Sequence, residues 1–160
     1  MKHITSDEEI NFFKHIVAIY FYLKNRVFEY DIEINRLREK YYEMPNRPPG
    51  VSFDRLGSGC SVTFPKSSPL DRLREEKLNA ECERWNVIKQ IQFLDTHYQI
   101  DNRYRRLNDK YKNVIREVYI EMHDVSEAAS RLQISNKKRV YTLINKAIIQ
   151  MLKMKEEDVI

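Results

Sequence analysis

Every proline and glycine of this 160-residue chain falls between Met44 and Leu70: Pro45, Pro48, Pro49, Gly50, Gly57, Gly59, Pro65 and Pro69. Proline removes a backbone donor and clashes with the preceding helical turn, and glycine carries the largest backbone entropy cost in a helix. Confining both to one stretch leaves two long arms free of helix breakers, which predicts helix on either side of an irregular segment. The expected class is therefore all-α.

The first arm opens with Ser6 and Glu9 at capping-box spacing. It continues with apolar residues at Phe13, Ile16, Tyr20, Leu23, Val27, Tyr30, Ile34, Leu37 and Tyr41. Steps alternating between three and four are the seam of a coiled coil, and a helix from Asp7 to Glu43 would span roughly 55 Å at 1.5 Å per residue. Val17, Ile19 and Phe21 add apolar groups off that seam, so the first half of the arm is expected to meet more than one neighbour.

Ser68-Pro69 starts the second arm, with a capping hydroxyl, proline at the first helical position and Asp71 facing the helix dipole. Its seam of Leu70, Leu73, Ala80, Val87, Ile91, Leu94 and Tyr98 is interrupted by Lys77 and Arg84. Zipping the two arms antiparallel buries both seams, whereas a parallel dimer of first arms buries one, so a long antiparallel coiled-coil hairpin is the expected arrangement. The connection is longer than a usual helix-helix turn of about 2 to 8 residues. Val51-Ser-Phe53 and Val62-Thr-Phe64 could pair there as short strands, or the segment could carry no regular structure.

Charge is uneven along the chain. Residues 1–100 hold 15 Lys/Arg and 15 Asp/Glu, while residues 101–155 hold 13 Lys/Arg against 6 Asp/Glu. A local surplus suits a polyanion partner better than a high overall pI does, because screened attraction acts within about 10 Å. A solvated basic helix face accounts for the charge equally well until the pattern beneath it is considered.

In that last third, Asn108 is placed to cap a helix burying Tyr111, Val114, Ile115, Val118 and Met122, with Lys110, Lys112 and Arg116 outward. A second short helix from Val125 to Leu132 directs Ala129 and Leu132 inward. After the turn Gln133-Ile134-Ser135, a third helix carries an inner stripe of Val140, Ile144, Ala147, Ile148 and Met151. Its opposite stripe is Lys138, Thr142 and Asn145, flanked by Asn136, Lys137, Arg139 and Tyr141, with Lys146 beside it. Lysine and arginine pair with guanine edges or phosphates, asparagine with adenine, and threonine with bases through its hydroxyl or methyl. These residues form the expected double-stranded DNA surface.

Residues 107–152, with Leu132-Gln-Ile-Ser135, Val140 and Lys146-Ala147, resemble the sigma-factor region 4 type of helix-turn-helix. With the two arms and the break between them, the chain is similar to the RinA and ArpU-like phage regulators of Gram-positive bacteria. That resemblance implies a transcription regulator of late phage or mobile-element genes. Gln133 stands where the family carries glycine in the turn, and the run Ser135 to Val140 is one residue longer than the family's spacing.

The expected organisation is a first long helix over 1–44, the connection over 45–69, a second long helix over 70–106 and a helix-turn-helix domain over 107–155. The expected partners are DNA, another copy of the chain with a dimer favoured, and RNA polymerase or another phage protein. Two other readings are a small terminase subunit recognising a packaging site and a protein-interaction module without DNA.

Enzyme readings find little footing. His3, His15, His97 and His123 stand apart from one another, and Gly57-Ser58-Gly59 lacks the lysine and helix of a phosphate loop. No catalytic residue, cofactor or metal is expected, and Cys60 and Cys82 read as free thiols. The apolar run Ile16 to Leu23 is far short of the ~20 residues that span a bilayer, so a soluble cytoplasmic protein without membrane attachment is expected.

Overall fold

The computed structural model describes residues 6–44 and 68–154. Their regular elements are all helical: α1 (Asp7–Glu43), α2 (Pro69–Tyr98), α3 (Ile100–Arg105), α4 (Asp109–Ile115), a π-helical segment (Arg116–Ile120), α5 (Val125–Arg131) and α6 (Lys137–Lys153). The strands considered at Val51–Phe53 and Val62–Phe64, and Cys60, lie outside the described residues; Cys82 is a free, exposed thiol. None of the described helices is long and apolar enough to cross a membrane.

Both long helices start where their caps place them. Ser6 Oγ accepts the Glu9 amide at 3.2 Å. At α2, Ser68 Oγ accepts the Asp71 amide at 3.1 Å while Asp71 Oδ2 accepts the Ser68 amide at 3.2 Å, so two otherwise orphaned donors are satisfied reciprocally. The side chain of Ser68 also donates to Asp71 Oδ2 at 2.7 Å, and these bonds hold the Asp71 carboxyl below its ordinary pKa.

Two compact units partition the chain, one within Val27–Asn86 and the other within Met1–Arg26 and Val87–Ile160. In the first, Ile34, Leu37 and Ala80 are buried together, with Tyr30 and Leu73 packed against them. Arg74 Nη2 donates to Tyr41 Oη at 2.8 Å, and Arg84 Nε meets Asp31 Oδ1 at 2.6 Å. Moving ten residues back along α1 moves the partner ten residues forward along α2, which is an antiparallel register. The two cations that interrupt the α2 seam are thereby accommodated: Arg84 by Asp31, and Lys77 by Glu81 one turn on at 3.6 Å. Half-exposed pairs of this kind contribute about 0–1 kcal/mol each, so they relieve the seam rather than drive it.

The second unit has one apolar core. Phe13, Val17, Tyr20 and Phe21 of α1 are buried with Ile100, Leu107, Val114, Ile115 and Ala129, and with Val140, Leu143, Ile144, Ala147, Ile148 and Met151. Of the three off-seam residues of the first arm, Val17 and Phe21 are buried in this core, which explains why apolar groups continue around that half of the helix, while Ile19 is half-buried and not part of it. Polar ties reinforce the packing: Asn25 Nδ2 donates to the Ile120 carbonyl at 2.8 Å, and Lys24 Nζ to Asp101 Oδ1 at 3.2 Å. Arg103 Nη1 donates to the Met151 carbonyl at 3.1 Å while its guanidinium lies 5.6 Å from the Phe13 ring centroid.

Two local expectations need correction. The second long helix, expected to run to residue 106, stops at Tyr98, because Gln99 adopts a left-handed conformation (φ 49°) and α3 begins anew with Ile100 fully buried. Met122 was expected inward but is 54% exposed, in a left-handed conformation (φ 58°). The cause is the π-helical segment before it, where the Glu121 amide bonds the Arg116 carbonyl five residues back at 2.8 Å. A π turn inserts an extra residue and rotates all that follows, so Tyr119 and Ile120 pack against the core in place of Met122. Burial pushes the Tyr119 hydroxyl up to about 12.

Candidate nucleic-acid interface

The surface in question is built outward from α5 and α6. Ala128 and Ala129 are buried on α5, and their small side chains let α6 approach closely. α5 then ends in a Schellman arrangement: the Ile134 amide bonds the Ala129 carbonyl at 2.8 Å and the Gln133 amide bonds Ser130 at 3.2 Å. Gln133 is the left-handed residue this requires (φ 55°), at the position where the resembled family carries glycine. Ile134 packs against the core, and Asn136 caps α6, its Oδ1 accepting the Lys138 amide at 2.9 Å.

α6 is divided cleanly along its length. Val140, Leu143, Ile144, Ala147, Ile148 and Met151 are buried; Leu143 joins the stripe read from sequence. Lys137, Lys138, Arg139, Tyr141, Thr142, Asn145 and Lys146 are exposed. The helix holds no aspartate or glutamate, so its outer face carries cations and uncharged hydrogen-bonding groups only. The partial positive charge of the helix N-terminus adds to Lys137, Lys138 and Arg139 in the first turn.

Two side chains of that face are already engaged. Thr142 Oγ1 donates to the Lys138 carbonyl at 2.9 Å, leaving its oxygen lone pairs and methyl free to face a partner. Asn145 Oδ1 accepts from Lys14 Nζ at 3.2 Å. Lys14, on α1, was not among the residues expected at the surface. Sequence spacing held no signal for it, because only the packing of α1 against α6 brings the two within reach.

The residues expected on α4 do not all converge. Lys110 and Arg139 line one groove of about 300 Å³ with Asn113, Gln133, Ile134 and Leu143, which joins α4 to the turn and to α6. Lys112 is half-buried and does not line that groove. Arg116 is exposed but held by its own helix, Nη2 donating to Asn113 Oδ1 at 3.1 Å.

His123, read as standing apart, is held between carboxylates. Its Nδ1 lies 2.9 Å from Glu117 Oε2 and its Nε2 lies 3.8 Å from Glu127 Oε1. Arg131 joins the same cluster at 3.4 Å from Glu127 and 4.0 Å from Glu117. This network ties the π-helical segment to α5.

Comparison with family models, curated proteins and solved structures finds no match to this chain.

Proposed function

We propose that this chain is a sequence-specific DNA-binding transcriptional regulator acting in the cytoplasm. In this reading α4, α5 and α6 form a helix-turn-helix with α6 as the recognition helix, and α1 and α2 pair as an antiparallel coiled-coil hairpin. The observation that carries it is the outer face of α6: seven exposed cationic or uncharged polar side chains, no acid, and six apolar residues buried directly behind them. A helix anchored on one side and charged this way on the other suits insertion into a major groove. Lys110 and Arg139 suit the flanking phosphates. The resemblance to RinA and ArpU-like regulators makes late genes of a phage or mobile element the proposed targets, with no catalytic step.

The test is binding of the full chain to a fragment library of the source genome, read by fluorescence anisotropy across salt concentrations. Affinity should fall with salt, each phosphate contact adding about 0.9 to the slope of log affinity against log salt. Absence of salt-dependent binding to every duplex would refute the DNA reading.

A further inference from the structure

Two different elements flank α6, and a cation stands on each flank. On one side, the groove of about 300 Å³ between α4, the turn at Gln133 and α6 is lined by Lys110 and Arg139, with no acid among its lining residues. On the other side α1 lies against α6, where Lys14 Nζ donates to Asn145 Oδ1 at 3.2 Å. Arg139 and Asn145 are six residues apart, which at 3.6 residues per turn sets them about 120° apart around the helix axis. Lys138, Thr142 and Lys146 fall in the arc between them, and all three are exposed. The outermost residues of α6 are therefore bracketed by cations that come from distant parts of the chain.

We propose that α6 lies in the major groove with its two flanks on opposite strands, Lys110 and Arg139 on phosphates of one strand and Lys14 on a phosphate of the complementary strand. This placement rests on the DNA reading of α6 above and adds to it which backbone each flank meets. The physical reason is width. A major groove about 12 Å wide is filled by an α-helix that measures about 10–12 Å across with its side chains. The flanks of an inserted helix then face the two phosphate walls, and the arc between them faces the base edges. Phosphate contacts position a helix without reading sequence, and contacts on both walls fix its rotation about its own axis, whereas contacts on one wall leave it free to roll. Anchors on the Arg139 and Asn145 flanks thus turn Lys138 and Thr142 toward the bases. Both flanks have the donors for this. The Lys14 ammonium carries three, of which Asn145 takes one, and the Arg139 guanidinium presents a fork that matches two phosphate oxygens.

The test uses the full chain and the tightest-binding duplex among the genome fragments, remade with one phosphate at a time replaced by an uncharged methylphosphonate. Neutralising a contacted phosphate should weaken binding of the unsubstituted chain roughly tenfold, the loss expected for one hydrogen bond to a charged group. Lys110→Ala and Arg139→Ala should each become indifferent to neutralisation at positions on one strand. Lys14→Ala should become indifferent at a position on the complementary strand, across the same major groove, while Lys14→Arg keeps the tenfold effect there. If the positions lost by Lys14→Ala and Lys110→Ala share a strand, or if Lys14→Ala still responds at every position, the placement is overturned and the DNA reading stands. Absence of salt-dependent binding of the unsubstituted chain to every duplex would overturn both.

Discussion

Lys14 Nζ on α1 donates a 3.2 Å hydrogen bond to Asn145 Oδ1 on α6, joining residues 131 positions apart. The start of the first helix therefore stands beside the face proposed to read DNA, and its cation belongs to that face. Lys14→Ala is expected to weaken binding evenly across duplex sequences and to lower the salt slope by about 0.9, the contribution of one phosphate contact. Unchanged slope and affinity would place α1 away from the bound duplex.

Base reading and backbone anchoring should separate. Lys138→Ala and Asn145→Ala are expected to change sequence preference, each relaxing discrimination at one base pair by about 1–3 kcal/mol. Lys110→Ala, in the groove with Arg139, should weaken binding to all sequences alike, as should the milder Lys112→Ala. Selection of bound sequences for each variant is the measurement, and identical shifts in all four would show that α6 is not the reading helix.

Phe21 is buried among residues of the C-terminal helices and stacks edge-on against Tyr104 at 5.4 Å between ring centroids. Removing a buried phenyl group leaves a cavity, so Phe21→Ala should cost about 3–5 kcal/mol in urea denaturation. A chain beginning after Arg26 loses Phe13, Val17, Tyr20 and Phe21 together and should not fold cooperatively. Cooperative unfolding of such a fragment would show that the last third closes a core by itself.

Gln133 holds a left-handed conformation that glycine adopts without steric cost. Gln133→Gly is expected to stabilise the fold by up to about 1 kcal/mol, offset in part by the freer unfolded chain. Thermal unfolding is the readout, and a lower midpoint would show that the glutamine side chain contributes contacts outweighing the strain.

Tyr119 supplies a pH dependence with a definite sign. Its folded pKa is raised from 10.0 to about 12 by burial, so the folded state holds the proton more tightly than the unfolded chain. That contribution to stability is complete below pH 10 and is lost as pH rises through 12. Tyr119→Phe should flatten this part of the alkaline stability profile, and ultraviolet titration should lose one late-ionising phenol. A variant profile superimposing on the wild type would sink the assignment.

Local chemistry carried much of this structure in the sequence. Ser6, Ser68-Pro69 and Asn108 set helix starts, because capping is decided within three or four residues. The α6 stripe of Val140, Ile144, Ala147, Ile148 and Met151 was legible because helical period alone puts those positions on one face. The turn at Gln133-Ile134-Ser135 was legible too, but the left-handed conformation of Gln133 was implied only by the resemblance to a family that carries glycine there. The basic outer face followed as the complement of the buried one.

Tertiary structure decided what neighbours in space decide. The heptads of α1 are regular from Phe13 to Tyr41, yet the first half packs against the C-terminal helices as well as the end of α2, and the second half, among the described residues, against α2. Periodicity reports that a face is buried and says nothing of what covers it. The heptad seam of the second arm does stop at Tyr98, one residue before the break at Gln99, but the π-helical rotation that expels Met122 is invisible to periodicity; neither site carries proline or glycine, and both arise where core packing outweighs weak local preference. Lys14 reaches Asn145 for the same reason: a contact across the length of the chain exists only once the core between its ends has formed.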